Sequence, residues 1–150
     1  MLAAEGAASP REPTVLLVED EVLTRLMLAD ELRNQGLQVL EASNADEALT
    51  VLQSSLPVHL LFTDIRMPGE MDGVALAKLA HARFPRIKSI IGSSGRPEQS
   101  IGDFADAFLA KPYDLRELIA QVVRLLSESG CEHYEAASGQ NRRNRAGGRG

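Results

Sequence analysis

Five short apolar runs alternate with segments of helical periodicity, and this alternation constrains the fold more than any other feature of the chain. The runs predict strands at residues 14–18, 37–42, 58–63, 87–91 and 107–110. The intervening and final segments predict helices over about 22–34, 45–54, 74–83, 97–106 and 115–126. Strands joined by helical crossovers run parallel, so the sequence predicts an α/β fold: a doubly wound, five-stranded parallel sheet with five helices on its two faces.

Apolar residues at helical spacing predict which face of each helix is buried. In the first helix they are Val22, Leu26, Ala29 and Leu32. In the last helix they are Leu115, Leu118, Ile119, Val122 and Leu126, a strongly amphipathic pattern. Asn44, followed three residues later by Glu47, resembles a capping pair at the start of the second helix.

The folded domain is expected to span residues 14–128. Residues 1–13 are rich in Ala, Gly and Pro and are interpreted as a disordered leader. Residues 129–150 lack apolar periodicity and carry four arginines against two glutamates, which predicts a disordered basic tail. The chain as a whole has a formal net charge of −5, so its acidic body argues against nucleic acid wrapped over the surface.

Several classes of protein are disfavoured by composition. The only cysteine is Cys131, which excludes an internal disulfide or a cysteine metal site and fits a reducing compartment. No apolar run is long enough to span a bilayer, and the first residues lack a secretory pattern. We therefore expect a cytoplasmic protein without a membrane partner. The three histidines, His59, His81 and His133, are scattered and are interpreted as surface or packing residues.

Polar residues follow four of the predicted strands. Glu19 and Asp20 follow the first, Asp64 ends the third, Ser93 follows the fourth, and Lys111 with Pro112 follows the fifth. The carboxyl ends of parallel strands meet at one edge of a sheet, so these groups should converge. Three converging carboxylates repel one another unless a cation lies among them, and oxygen ligands select a hard ion. The sequence predicts Mg²⁺ on Asp20 and Asp64, with Glu19 reached through water.

The same groups predict phosphoryl chemistry at Asp64. A carboxylate is a legitimate nucleophile toward phosphorus. Mg²⁺ and Lys111 can neutralise the oxygens of the transferring phosphoryl group, and the Ser93 hydroxyl can hydrogen-bond one of them. The product would be an acyl phosphate on Asp64.

Residues 14–128 resemble the receiver domain of two-component response regulators. The motifs that carry this resemblance are Val18-Glu19-Asp20-Glu21, Asp64 with Met67-Pro68 and Asp72-Gly73, Ser93-Ser94-Gly95, and Lys111-Pro112. The resemblance implies a flavodoxin-like sheet of strand order 2-1-3-4-5. It also implies a cis peptide bond before Pro112.

The resemblance further implies a role for each site residue. Asp64 would be the phosphoacceptor, and Asp20, Asp64 and the backbone carbonyl of Arg66 would bind Mg²⁺. Lys111, Ser93 and Ser94 would bind the phosphoryl group. Ser93 and Phe108 would form a switch pair that remodels the surface made by the fourth predicted helix, the fifth strand and the fifth helix.

The implied partners are a histidine kinase or a histidine phosphotransfer protein and an unknown output protein. A second copy of the chain, bound through that same surface, is a further candidate. The domain would be a signalling module rather than an enzyme, with Mg²⁺-dependent self-phosphorylation and self-dephosphorylation only. The sequence departs from the commonest family pattern in four places. Ser93 replaces threonine, Phe108 replaces tyrosine, Glu70 lengthens the loop after Pro68, and Gly92 interrupts the fourth strand.

Other functions are weighed against this one. An aspartate-nucleophile phosphatase needs a second acid two residues after the nucleophile, where this chain has Arg66. A dinucleotide site needs a glycine-rich turn after the first strand, where this chain has Glu19-Asp20-Glu21. A receiver-like adaptor that is never phosphorylated, or a regulator that contacts nucleic acid through its basic tail, stays open. No helix-turn-helix pattern follows Leu126, so a single-domain regulator or phosphate sink is favoured.

Overall fold

The computed structural model describes residues 12–94 and 102–129. Its five strands are β1 (Thr14–Val18), β2 (Gln38–Ala42), β3 (Leu60–Asp64), β4 (Lys88–Ser93) and β5 (Ala107–Ala110). They form one parallel sheet of order β2-β1-β3-β4-β5. The helices of the described residues are α1 (Val22–Asn34), α2 (Ala45–Gln53), α3 (Gly73–Arg83) and α4 (Leu115–Glu128). The predicted fold class and strand order are confirmed.

Three expectations fall wholly or largely outside the described residues. They are the disordered leader, the disordered basic tail and most of the helix predicted over 97–106. The last residues of that predicted helix are described, and residues 102 and 103 lie in a 3₁₀ turn.

Helices cover both faces of the sheet. On one face α1 and α4 pack against alternate residues of the central strands, and on the other face α2 and α3 do the same. All five residues of β1 and of β3 are buried, as expected for central parallel strands covered on both sides. The arrangement leaves the carboxyl-terminal edge of the sheet as the place where polar side chains collect.

The buried face of α1 differs from the prediction. The structure buries Leu28, Ala29 and Leu32, whereas Val22 and Leu26 are about half exposed. Leu32 follows Leu28 by four residues and Ala29 by three, so these three residues share the face of α1 that packs on the core. Val22 and Leu26 lie away from that face. The prediction that Val22 and Leu26 face the core was therefore wrong, and the exposed apolar residues Val22, Leu23, Leu26 and Met27 form a surface that we call the α1 patch.

Local hydrogen bonds fix the start of three helices. The side chains of Asn44, Asp72 and Asp114 each accept a hydrogen bond from a backbone N–H of the first turn. The N–H of Glu47 donates to Oδ1 of Asn44, as the predicted capping pair requires. The carboxylate of Glu47 accepts from the backbone N–H and hydroxyl of Ser43, one residue before the N-cap. Within the described ranges, no helix combines the length and the apolar character that crossing a bilayer requires.

Candidate functional site

Three carboxylates converge at the carboxyl-terminal edge of the sheet. Glu19 and Asp20 directly follow β1, and Asp64 is the last residue of the neighbouring β3. One oxygen atom from each of these residues lies within 4.8 Å of the others. Glu19 is almost completely buried, Asp64 is buried, and Asp20 is exposed. We call these three residues the acidic cluster.

Two backbone contacts hold the acidic cluster in place. The N–H of Glu19 donates to the carbonyl of Ala42, which continues the pairing of β1 and β2 by one residue. Arg25 of α1 donates from Nη1 to the carbonyl oxygen of Glu19 at 2.9 Å and also pairs with Glu41 of β2. The turn that carries Glu19 and Asp20 is thus fixed to both β2 and α1.

Lys111 brings a positive charge into the acidic cluster. Its Nζ lies 2.7 Å from Oδ2 of Asp64 and 3.3 Å from Oε1 of Glu19. Burial lowers the pKa of Lys111, but the hydrogen bond and charge of Asp64, followed by those of Glu19, raise it overall above its usual value. The lysine is therefore a fixed cation, and it connects the end of β5 to the ends of β1 and β3.

Glu19 remains electrostatically unsatisfied despite Lys111. Its pKa is raised to about 7, mainly by burial and further by the charges of Asp64 and Asp20, while Lys111 lowers it in part. Its Oε2 atom is buried without a hydrogen-bond partner. A buried carboxylate oxygen with no partner, beside two further carboxylates, fits a hard divalent cation with oxygen ligands.

The loop after Asp64 packs tightly against the end of β3. The N–H of Gly73 donates to the carbonyl of Ile65 at 2.8 Å. A Cβ atom built on Gly73 would lie 2.7 Å from the carbonyl carbon of Asp64 and closer still to its oxygen, so only glycine fits. Gly69 in the same loop has φ +107°, and Arg66 and Glu70 are exposed.

The remaining predicted residues lie on β4 and β5 or directly after them. Ser93 is the last residue of β4 and is buried, one position beyond Gly92, which is the register partner of Asp64. Ser94 is exposed just beyond the strand. Phe108 on β5 is half-buried and packs against a small apolar cluster that contains Ala77, Ile91 and Phe104. The Lys111–Pro112 peptide bond is cis.

Tyr113 is a residue of the site that the sequence reasoning missed. Its ring packs edge-on against Phe62, with centroids 5.3 Å apart, and the Lys111 ammonium lies 5.5 Å from its ring centroid. It also fills the space beside Gly92, where an ideal Cβ would collide first with the Tyr113 hydroxyl oxygen and would come within 2.7 Å of the ring carbons Cε1 and Cζ. The one available signal was Gly92 itself, because a glycine inside a strand marks the close approach of another group.

A comparison with protein families matches the response regulator receiver domain over residues 15–123. The chain belongs to the response regulator receiver family. It is 34% identical over 125 residues to the DNA-binding transcriptional regulator NtrC of Salmonella typhimurium, and the matched region covers 81% of this chain and 25% of NtrC. It is 32% identical over 137 residues to the transcriptional regulatory protein AruR of Pseudomonas aeruginosa, and the matched region covers 87% of this chain and 55% of AruR. The chain therefore spans between a quarter and about half the length of these curated relatives.

Solved receiver structures have the same fold. A CheY-like receiver domain protein from Methanospirillum hungatei superposes with a TM-score of 0.74 at 26% identity, covering 81% of this chain and 98% of that chain. The response regulator TrrA of Thermotoga maritima, solved in complex with Mg²⁺-BeF, gives a TM-score of 0.70 at 29% identity, covering 76% and 99% respectively. The chain is thus a receiver domain of a two-component system, with an acidic cluster that suits Mg²⁺.

Proposed function

We propose that this receiver domain accepts a phosphoryl group on Asp64 from a histidine kinase or a histidine phosphotransfer protein in the cytoplasm. The observation that carries the proposal is the pairing of Asp64 with Lys111 inside the acidic cluster. An ionised carboxylate held by an ammonium can attack phosphorus, and the same ammonium can then neutralise a phosphoryl oxygen. In this step the Asp64 oxygen forms a bond to phosphorus while the P–N bond to the donor imidazole breaks, and the imidazole nitrogen retains the electron pair and takes a proton.

Mg²⁺ is the proposed cofactor. Asp20, Asp64 and the backbone carbonyl of Arg66 would ligate it, and Glu19 would reach it through water. The support is the convergence of the three carboxylates and the unpaired Oε2 of Glu19, together with the Mg²⁺-BeF complex of the related TrrA. When bound, the ion would supply charge neutralisation for the phosphoryl group. Lys111 serves the same purpose from β5, and Ser93 and Ser94 would hydrogen-bond the phosphoryl oxygens.

The phosphoryl group would act as a switch through Ser93 and Phe108. Ser93 ends β4, and Phe108 lies on the adjacent β5 against Ile91. A movement of the Ser93 hydroxyl toward Asp64 would therefore change the packing of Phe108. The output surface would be the face around β5 and α4 together with the segment before β5. An output protein or a second copy of the chain would bind there. To convert a mostly inactive population into a mostly active one, the modification must favour the active form by about 5 kcal/mol.

The phosphodonor protein would dock on the α1 patch. Val22 and Leu23 follow Asp20 directly in the chain, and Leu23 is 76% exposed. A protein that delivers a phosphoryl group to Asp64 must approach the same edge of the sheet and would cover this apolar surface. Exposed apolar residues grouped beside a reactive site favour such a contact.

The test is incubation with Mg²⁺ and acetyl phosphate, followed by intact mass measurement. A gain of one phosphoryl group that is removed by hydroxylamine, and that requires Mg²⁺, is the expected result. No adduct, or an adduct that survives Asp64→Asn, would refute the assignment.

A further inference from the structure

Tyr113 reaches the same face of the sheet as the side chain of Asp64. Phe62 and Ile90, two residues before Asp64 and Gly92 on their strands, both belong to the core under α1 and α4. Side chains two residues apart on a strand point to the same face, so Asp64 and a Gly92 side chain would point there too. Asp64 and Gly92 are register partners on adjacent strands. Tyr113 therefore occupies the side-chain position beside Asp64 that Gly92 leaves open.

The ring of Tyr113 also lies against the cation of the site. The Lys111 ammonium is 5.5 Å from the ring centroid while it bonds Asp64 and Glu19. A cation at this distance is attracted by the π-face of an aromatic ring. Phe62, packed edge-on against Tyr113, fixes the ring from the core side. Burial raises the pKa of the Tyr113 phenol, and the charges of Asp64 and Glu19 raise it further, so the side chain stays neutral.

We propose that Tyr113 is a positioning residue for phosphorylation, and that its ring, seated over Gly92, holds the Lys111 ammonium in line with Asp64. Gly92 and Tyr113 form one unit, because any side chain at position 92 would collide with the hydroxyl oxygen and the adjoining ring carbons of Tyr113 and displace the ring. The role belongs to the ring face and not to the hydroxyl, since the face is what lies against the ammonium. This inference rests on the proposed role of Asp64 as phosphoacceptor.

The test compares phosphorylation by acetyl phosphate in Mg²⁺, measured by intact mass after rapid quenching, across five variants of the full chain. Tyr113→Leu should lower the maximal rate at saturating acetyl phosphate roughly fivefold, whereas Tyr113→Phe should stay within about twofold of wild type. Gly92→Ala should lower the rate as Tyr113→Leu does, and the double variant should be no slower than the slower single variant, because both changes remove the same contact. Phe84→Leu controls for a loss of stability alone, because it removes an aromatic ring that packs against the core under α2 and α3, on the opposite face of the sheet.

A second readout does not depend on phosphorylation. The ring current of Tyr113 should shift the side-chain methylene protons of Lys111 upfield in the wild-type NMR spectrum, and Tyr113→Leu should abolish the shift. Loss of the shift together with the slower rate supports the positioning role. The positioning role would be overturned if a folded Tyr113→Leu variant reacted at the wild-type rate, or if Tyr113→Phe were as slow as Tyr113→Leu. It would also be overturned if the rate losses of Tyr113→Leu and Gly92→Ala multiplied in the double variant. A wild-type chain that keeps the shift but gains no phosphoryl group would instead refute the proposed function, and the positioning role with it.

Discussion

The ammonium of Lys111 hydrogen-bonds the carboxylate of Asp64 at 2.7 Å, although the two residues are 47 positions apart in the chain. They meet because β5 and β3 are parallel strands of one sheet and both end at the same edge. The ammonium neutralises part of the charge of the acidic cluster. Its removal should therefore change both the free energy of unfolding and the reactivity of Asp64.

We predict that Lys111→Met lowers the free energy of unfolding in the absence of Mg²⁺ by about 1–3 kcal/mol, because it leaves buried carboxylates without their cation. Urea unfolding measures this change. Lys88→Met is the matched control: both lysine side chains are 27% exposed, but Lys88 lies 4.0 Å from a carboxylate at the surface. The control should cost less than about 1 kcal/mol. Equal losses in the two variants would contradict the account of the cluster.

Gly73→Ala should destabilise the loop after Asp64. The added Cβ would collide with the backbone carbonyl of Asp64, so the fold should lose about 1–3 kcal/mol as the loop shifts. Gly102→Ala is the control, because nothing lies within 4 Å of a Cβ built there. Thermal unfolding of both variants distinguishes them. If Gly73→Ala unfolds at the wild-type temperature, the close approach at Asp64 does not exist.

The capping pair predicts a pH effect at Glu47. Hydrogen bonds from the Ser43 hydroxyl and N–H lower the pKa of Glu47 below its usual 4.5. A carboxyl group with a lowered folded-state pKa contributes stability above its unfolded pKa and loses it as the pH falls through the folded pKa. Ser43→Ala should therefore move the pKa of Glu47 upward, which a carboxyl-carbon NMR titration measures. An unchanged titration midpoint would show that Ser43 is not the cause.

The α1 patch predicts a separation between two phosphodonors. Leu23→Ser should leave phosphorylation by acetyl phosphate unchanged and slow phosphotransfer from any histidine kinase that phosphorylates the wild-type chain. Leu56→Ser, an exposed leucine that precedes β3 and so lies toward the opposite edge of the sheet, should leave both reactions unchanged. Kinase-driven rates that are equal for Leu23→Ser and Leu56→Ser would exclude the patch as the docking surface.

The sequence predicted most of the framework because apolar runs and helix caps are local signals. β1, β5 and α1 begin and end at the predicted residues. β3 begins at Leu60 rather than at residue 58, because Val58 packs against the core from the preceding loop. β4 continues to Ser93, because Gly92 pairs with Asp64 beyond the apolar run.

The site was predictable only in part. The acidic cluster and Lys111 were predictable because each residue lies at a strand end, and the topology of a parallel sheet brings strand ends together. The packing of Tyr113 against Gly92 was not predictable, because it depends on how one side chain folds back across the sheet after Pro112. The exposure of Val22 and Leu26 also escaped prediction, since helical spacing alone does not distinguish a core face from a docking face.

We propose that Asp64, and not another acid of the acidic cluster, receives the phosphoryl group. Borohydride reduction of the phosphorylated chain, followed by peptide mass mapping, identifies the modified residue directly, because an aspartyl phosphate is reduced to homoserine. We expect homoserine at position 64. Reduction at position 19 or 20, or no reduced residue after incubation with Mg²⁺ and acetyl phosphate, would contradict it.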